Sequence, residues 1–285
     1  MEQHQRSPIG NSAIIDYMLS WFRLPVGFEN TIWLTQILQG LAIKYAVEHW
    51  RMNKPRCMGA LYWQLNDCWQ VASWSSIDYF GKWKALNYAA RNFFAPLLVC
   101  GVEDLDTSKV AIHVVSDQLE SARATVSWKV VDVAGAELDT GSKKIRVKAN
   151  VAAVVKTLDL AKLVKEHGHR GLMVKLSLKE GRKVVSENLV TFARPKHLTL
   201  QDPKLSVSVK AAPKGAFDVT VSAKKPALWT WLELRGIDAR YSDNFAHLMA
   251  DESLTIRVTP KEKASLSAVK AALRVRSVYD TYQEV

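Results

Sequence analysis

MGALYWQL, residues 58–65, is the stretch on which the fold reading turns. It carries no charge, is apolar at nearly every position and does not alternate. That is the pattern of a short strand buried on both faces, and such strands belong to parallel sheets covered by helices. A polar, aromatic loop follows, NDCWQVASWSSIDY (66–79), and after Gly81 a helical pattern runs from about Lys82 to Phe94, where Pro96 closes it. Upstream, Ile14, Ile15, Tyr17, Met18, Trp21 and Phe22 recur at helical spacing behind Asn11, a residue type suited to capping, and Pro25 and Gly27 end that segment. A longer helix is expected from about Thr31 to Arg51, with a wide apolar face through Leu34, Ile37, Leu41 and Tyr45. The order helix, helix, strand, loop, helix is expected at the end of an α/β barrel or of a doubly wound sheet. One strand makes no sheet, so these helices need strands that the sequence does not show.

From residue 97 the period changes to two. Val110–Val115, Ala124–Val130, Ile145–Val155, Leu172–Leu178 and Val184–Phe192 largely alternate apolar and polar residues, and the segment 194–198 reads as a linker. A second series follows at Leu205–Val209, Phe217–Val221, Leu228–Leu234, Leu254–Val258 and Leu273–Val278. Two β-sandwiches of about 90 to 100 residues each fit this length. The expected organisation is therefore α/β followed by all-β, with one part at 1–96 and sandwiches at 97–196 and 197–285. Seven of the ten tryptophans fall before residue 97, which separates the first part from the rest more sharply than charge does.

Composition excludes several classes. With 48% hydrophobic residues and 24% charged ones over 285 residues, the chain is expected to fold with a core and not to be disordered. No window approaches the ~18 consecutive apolar residues of a membrane span. The first residues, MEQHQRSPIG, lack the apolar core of a signal peptide, so the chain as it stands is expected in the cytoplasm. The net charge of +11 is spread out, +3 over residues 1–96 and +8 over the remainder, without a run of five like charges, which argues against nucleic acid as a partner. Cys57, Cys68 and Cys100 are odd in number and have no metal-ligand spacing, so free thiols are expected.

In parallel α/β sheets the working residues lie beyond the carboxyl ends of the strands, which directs attention to the loop after residue 65. Trp63, Trp69 and Trp74 offer flat apolar faces with an N–H at one edge, suited to the C–H face and hydroxyls of a sugar, and Gln64, Asn66 and Asp67 can bind hydroxyls. The same tryptophans can instead simply fill space under a loop. Glycoside hydrolysis needs two carboxyl groups, about 5 to 5.5 Å apart for retention. Asp67 and Asp78 are the obvious pair, although Asp67 can equally satisfy loop amides and Asp78 can cap the turn before Gly81. His167 and His169, after Glu166, have no third ligand type near them and read as part of a connection between strands; His4 and His49 read as helix-surface or packing residues. No phosphate-binding glycine loop, dinucleotide fingerprint, G-x-S-x-G elbow or H-E-x-x-H motif occurs, and neither a metal nor a cofactor is expected.

The stretch MGALYWQLNDCWQVASWSSIDYFGKWKALNYAARNFFAPLLV (58–99) closely resembles the end of the catalytic barrel in β-mannosidases of the glycoside hydrolase family 2 type. MEQHQRSPIGN (1–11) and LAIKYAVEHWR (41–51) resemble the stretch that follows the catalytic nucleophile in those enzymes, and LWTWLELRGIDARYSDNFAHL (228–248) and LRVRSVYDTY (273–282) resemble their terminal immunoglobulin-like domain. The resemblance implies the last part of a TIM (α/β)8 barrel followed by two immunoglobulin-like β-sandwich domains. It also implies a retaining exo-hydrolase that removes β-linked mannose from oligosaccharides with a glutamate nucleophile and a glutamate acid/base.

Neither the AsnGlu acid/base motif nor a SerGluPheGly-like nucleophile motif occurs at a matching place, so both glutamates are expected upstream of Met1 and the chain alone is expected to be inactive. On the same resemblance Trp63 is the wall of the subsite that holds mannose, Asp67 is a substrate-contact or loop-stabilising residue, and Asn66, Trp69 and Trp74 complete the substrate-binding set. Gln70 stands where many relatives have proline. An upstream chain or self-association is expected to cover the helices. The competing reading is a non-catalytic carbohydrate-binding or accessory module.

Overall fold

The computed structural model describes residues 1–282, so the last three residues of the expected carboxyl-terminal domain, 283–285, lie outside the described ones. The helices are α1 (Gly10–Trp21), α2 (Phe28–Met52), α3 (Ala85–Phe93), α4 (Ala161–His167) and α5 (Leu266–Ala272). The strands are β1 (Leu97–Asp104), β2 (Lys109–Ser116), β3 (Ala122–Asp132), β4 (Glu137–Val147), β5 (Ala152–Asp159), β6 (Leu172–Glu180) and β7 (Lys183–Thr191), then β8 (Ser206–Ala211), β9 (Phe217–Ser222), β10 (Ala227–Leu234), β11 (Ala239–Tyr241), β12 (Ala246–Leu248), β13 (Ser253–Pro260) and β14 (Leu273–Arg276). Two compact units result. One combines Met1–Ile37, Asn66–Tyr88 and Leu200–Val285, the other Leu38–Leu65 and Ala89–Thr199. The stretch 1–96, expected as one part, is thus shared between them. Among the described residues no helix is long and apolar enough to cross a membrane.

The unit containing Ala89–Thr199 is built on an antiparallel sandwich with sheet orders β1-β2-β5 and β4-β3-β6-β7. Period-two alternation buries Val99, Val110, Ile112, Val126, Val174, Leu176 and Leu178 in one core. The expected strand Ile145–Val155 is two strands. β4 ends at Val147, Asn150 adopts a left-handed φ of 47°, and β5 starts at Ala152 in the other sheet. Asparagine tolerates that conformation, so alternation continues in sequence across a break in space. Gly141 lies mid-strand because a Cβ there would stand 2.3 Å from Cζ2 of Trp128 on the paired strand.

The carboxyl-terminal end of α2 is bound to this sandwich by charge. Arg51 donates to the carbonyls of Phe93 and Ala95 and pairs with Asp117 at 2.6 Å, while Lys54 reaches Asp117, the carbonyl of Ser116 and Asn150. Glu48 accepts from Lys44 at 3.0 Å and from the Asn188 amide at 2.9 Å.

In the other unit the sheets β11-β13-β9-β8 and β12-β10-β14 enclose Val219, Val221, Leu232, Ile256, Val258 and Val269. β11 and β12, three residues each, were too short to show as alternation. Asn244 does the work of a strand there: its buried amide accepts from the N–H of Leu232 at 2.8 Å and donates to its carbonyl at 2.7 Å. A chain of rings runs from Trp83 through Tyr88 and Trp231 to Trp33 and Phe245, with centroid separations of 5.2, 5.7, 5.0 and 5.9 Å. Phe22 meets Trp229 edge-on at 6.0 Å. These contacts show what the early tryptophans and tyrosines of the helices do, because each ring buries a large area against another.

Two expectations are corrected. Asn11 does not cap α1: the capping position is Ile9, without a side-chain hydrogen bond, and the Asn11 amide donates to Glu2 at 2.6 Å from inside the helix. The stretch 58–65 forms no strand, and Leu61 is 94% exposed, with Met58 and Leu65 also exposed. A strand requires a neighbour that accepts and donates along its backbone, and no described strand forms a ladder with this segment. The described sheets are antiparallel sandwiches, and no barrel is formed by these residues.

Candidate functional site

The loop from Asn66 to Lys84 is held by short, local features. Asp78 closes its far end. One carboxylate oxygen accepts from the N–H groups of Phe80 and Lys82, both at 2.8 Å, and Gly81 supplies the left-handed φ of 78° that this turn needs. Asp78 is therefore the turn-capping residue. Ile77 then bridges to Asn66 on one side and to Trp83 on the other, and the N–H of Asp67 donates to Ile77 at 3.0 Å, so the loop returns to its own start.

Its middle is anchored by three side chains. The Lys84 ammonium lies 2.6 Å from Asp67 Oδ2 and donates to the carbonyls of Val71 and Ser73, both at 3.1 Å. Gln36 from α2 donates to the carbonyl of Ala72, and the His4 ring, through Nδ1–H, to that of Gln70 at 2.7 Å. The Arg6 guanidinium covers the Trp69 ring at 4.1 Å from its centroid, a cation–π contact. Trp74 has a left-handed φ of 65° between Ser73 and Ser75, whose backbone groups bond across it at 3.0 Å. Non-glycine residues take that conformation at a cost, and such strain is concentrated in functional loops.

Asp67 is enclosed, with its side chain 1% exposed. The Lys84 contact at Oδ2 is an ion pair outside hydrogen-bond alignment, and Oδ1 has no hydrogen-bond partner among the described residues. Its charge is thus compensated by Lys84 and not by solvent. Of the two carboxylates weighed as a catalytic pair, one is buried against an ammonium and the other is committed to a turn.

The remaining expected sugar contacts are placed as follows. Asn66 and Trp69 are exposed, and Trp74 is half-buried. Trp63 belongs to the other unit, where its indole is 75% exposed, its peptide bond to Gln64 is cis, and the preceding Tyr62 stacks on Phe94 at 6.3 Å. An exposed indole face matches the apolar C–H face of a pyranose.

Other titratable groups with shifted behaviour lie in the sandwich. Burial raises the Cys100 thiol and the Glu103 carboxyl and lowers the His113 imidazole. Cys57, Cys68 and Cys100 are free thiols. His167 ends α4 and His169 lies in the next turn, 6.2 Å from the Phe192 ring. Among the described residues no group of three or more His, Cys, Asp or Glu side chains could hold a metal.

Sequence reasoning missed Lys84, Gln36 and Arg6, and read His4 only as a helix-surface or packing residue. A signal for Lys84 existed: it directly precedes α3 and its carbonyl accepts from Asn87 in the first turn, where the helix dipole disfavours a cation. A lysine there is best explained by an anion nearby.

Comparison with known proteins adds to this geometry. A Mannosidase Ig/CBM-like domain matches residues 108–197, and an Ig-fold domain of the mannosidase type matches 200–281. A bovine β-mannosidase, from Bos taurus, is 31% identical over 96% of the chain, and one from Mus musculus is 32% identical over the same share. The crystal structure of a β-D-mannosidase from Dictyoglomus thermophilum superposes over the whole chain with a TM-score of 0.85 at 27% identity.

The chain is similar to the β-mannosidases.

It corresponds to the carboxyl-terminal part of the glycoside hydrolase family 2 type. Its two sandwiches are the immunoglobulin-like domains of that family. The chain spans about one third of its β-mannosidase relatives, 33% of the bovine protein and 34% of the Dictyoglomus chain. An exo-chitosanase from Amycolatopsis orientalis shares the fold, with a TM-score of 0.71 over the whole chain and 38% of its own, at 17% identity.

Proposed function

We propose that this β-mannosidase chain contributes to the retaining hydrolysis of terminal β-D-mannose from oligosaccharides by binding the sugar, while the two catalytic glutamates come from chain outside this sequence. In this reading residues 1–96 are the last part of a TIM barrel, and 58–65 becomes its final strand once neighbouring strands pair with it. Trp63 stacks on the mannose ring, Asn66 and the tryptophans Trp69 and Trp74 contact the oligosaccharide, and Asp67 holds the loop. The observation that carries this is the exposed indole of Trp63 in a chain aligned with β-mannosidases over nearly its full length. Retention needs two carboxyl groups about 5 to 5.5 Å apart and free to act. Asp67 and Asp78 are engaged elsewhere, so this chain alone is expected not to turn over mannosides.

The test is to purify residues 1–285 and measure both p-nitrophenol release from its β-mannoside and tryptophan fluorescence on titration with methyl β-D-mannoside. The expected result is no turnover and a saturable fluorescence change that Trp63→Ala removes. Turnover by a clean monomer well above a Trp63→Ala control would place the chemistry in this chain and overturn the reading.

A further inference from the structure

The geometry points to Lys84 as the positioning residue that sets where Trp69 and Trp74 stand in the sugar-binding loop. This inference rests on the loop reading proposed above and assigns the residue that shapes it. An ammonium has three N–H donors and no acceptor. Here its neighbours are Asp67 Oδ2 at 2.6 Å and the carbonyls of Val71 and Ser73 at 3.1 Å, all from one segment of seven residues. The Lys84 side chain is only 9% exposed, so water offers little competition for these acceptors. Its backbone N–H also donates to the carbonyl of Ser76 at 2.9 Å, so a single residue ties the loop at 67, 71, 73 and 76. Trp69 lies between the first two of those ties, and Trp74 between the last two. The left-handed backbone of Trp74 directly follows the carbonyl that Lys84 holds. Loops are ordinarily mobile where their polar backbone is left to solvent. In this one the buried charge replaces solvent as the common partner, and the buried Asp67 carboxylate has no other cation beside it in the described ion pairs.

The arrangement also explains why lysine and not arginine is present. A point charge on a flexible stem can bond two carbonyls and pair with a carboxylate at once, whereas a planar guanidinium presents its donors in one plane.

The experiment labels the full chain with 5-fluorotryptophan, assigns the Trp69 and Trp74 resonances with Trp69→Phe and Trp74→Phe, and compares the chain with Lys84→Met, Lys84→Arg and Asp67→Asn by fluorine NMR and amide hydrogen exchange. Lys84→Met is expected to broaden or shift the Trp69 and Trp74 signals and to speed exchange of the amides of 67 to 77 at least tenfold, while Trp128 and the exchange of β3 and β6 stay unchanged. Lys84→Arg is expected to restore the loop only in part, and Asp67→Asn to disturb it less because two carbonyl ties remain. The fluorine shift induced by methyl β-D-mannoside is expected to disappear with the loop order. Should Lys84→Met fail to fold, the loop-confined change in Lys84→Arg decides. Unmoved Trp69 and Trp74 signals in a folded variant would overturn the proposal, and so would changes spread equally to Trp128, since those mark a residue of the whole fold. If the loop loosens in Lys84→Met but the parent chain shows no mannoside response, the positioning role stands and the sugar-binding reading fails.

Discussion

Two uncharged apolar runs in this chain meet opposite ends. LLVC, residues 97–100 at the start of β1, is buried at every position, with no residue above 2% exposed, whereas in MGALYWQL the side chains of Met58, Leu61, Trp63 and Leu65 face solvent. Composition does not separate them. β1 pairs with β2 from Leu97 to Asp104. One face of the run feeds the sandwich core through Leu97 and Val99, and the other packs Leu98 and Cys100 against Val115, Met52 and Ala152. Among the described residues no strand lies beside 58–65. Apolar side chains record that a segment is meant for burial, but only a hydrogen-bonding neighbour and a facing layer carry it out.

The most severe way to break this comparison is paired truncation. Leu98→Ala is expected to destabilise the sandwich by about 2 to 5 kcal/mol, and Leu61→Ala to change stability by less than about 0.5 kcal/mol, both read from urea unfolding of the purified chain. A cost at Leu61 comparable to that at Leu98 would mean that 58–65 is covered in solution.

Glycines sharpen the same contrast. A Cβ on Gly141 would collide with the Trp128 ring, while one on Gly59 meets nothing within 4 Å. Gly141→Ala should therefore lose about 1 to 3 kcal/mol through overpacking. Gly59→Ala should be neutral or gain up to about 1 kcal/mol by stiffening the unfolded chain. Melting temperatures of the two variants check this directly.

Burial has a cost even in the covered region, and pH exposes it. Burial raises the Glu103 carboxyl at the far end of β1 above its ordinary 4.5, with Glu48 adding to the rise and Lys44 opposing it. As pH climbs through 4.5 the unfolded chain releases this proton before the folded chain does, so stability falls until the folded group also ionises. Glu103→Gln removes that loss. Its melting temperature should exceed the parent's by a few degrees at pH 7 to 8 and match it near pH 4. A difference of the same size at both pH values would show that packing, and not ionisation, distinguishes the variants.

The smallest effect concerns association. Leu61→Lys should leave the unfolding curve unchanged and reduce light scattering of concentrated chain, because charge interrupts an apolar surface. Unaltered scattering would mean that self-association, if it occurs, uses another face.

Several features of the site were legible before any coordinates. Asp78 before Gly81 reads as a turn cap from residue type and spacing alone, because Asx side chains reach the amides two and four positions on. Trp63, Asn66 and Trp69 stood out by residue type, and the structure leaves their side chains exposed. Asp67 was ambiguous between ligand contact and loop support. Its pairing with Lys84, seventeen positions away across a reversing loop, is not encoded in any local period. Gln36 was invisible for the same reason, and the partner of His4 could not be read either.

Period and residue type by themselves determined the two helices before residue 53, the two antiparallel strand series and the break between them near 194–198. These follow from repeats over a few residues, since side chains at period two or 3.6 must share a face whatever lies opposite. Tertiary structure decided the rest. It split one alternating run between two sheets at Asn150, buried Asp67 against Lys84, divided residues 1–96 between two units, and left 58–65 outside every described sheet. Each of those outcomes depends on which groups distant in sequence arrive to satisfy a backbone, a charge or an apolar face, and no local pattern specifies that arrival.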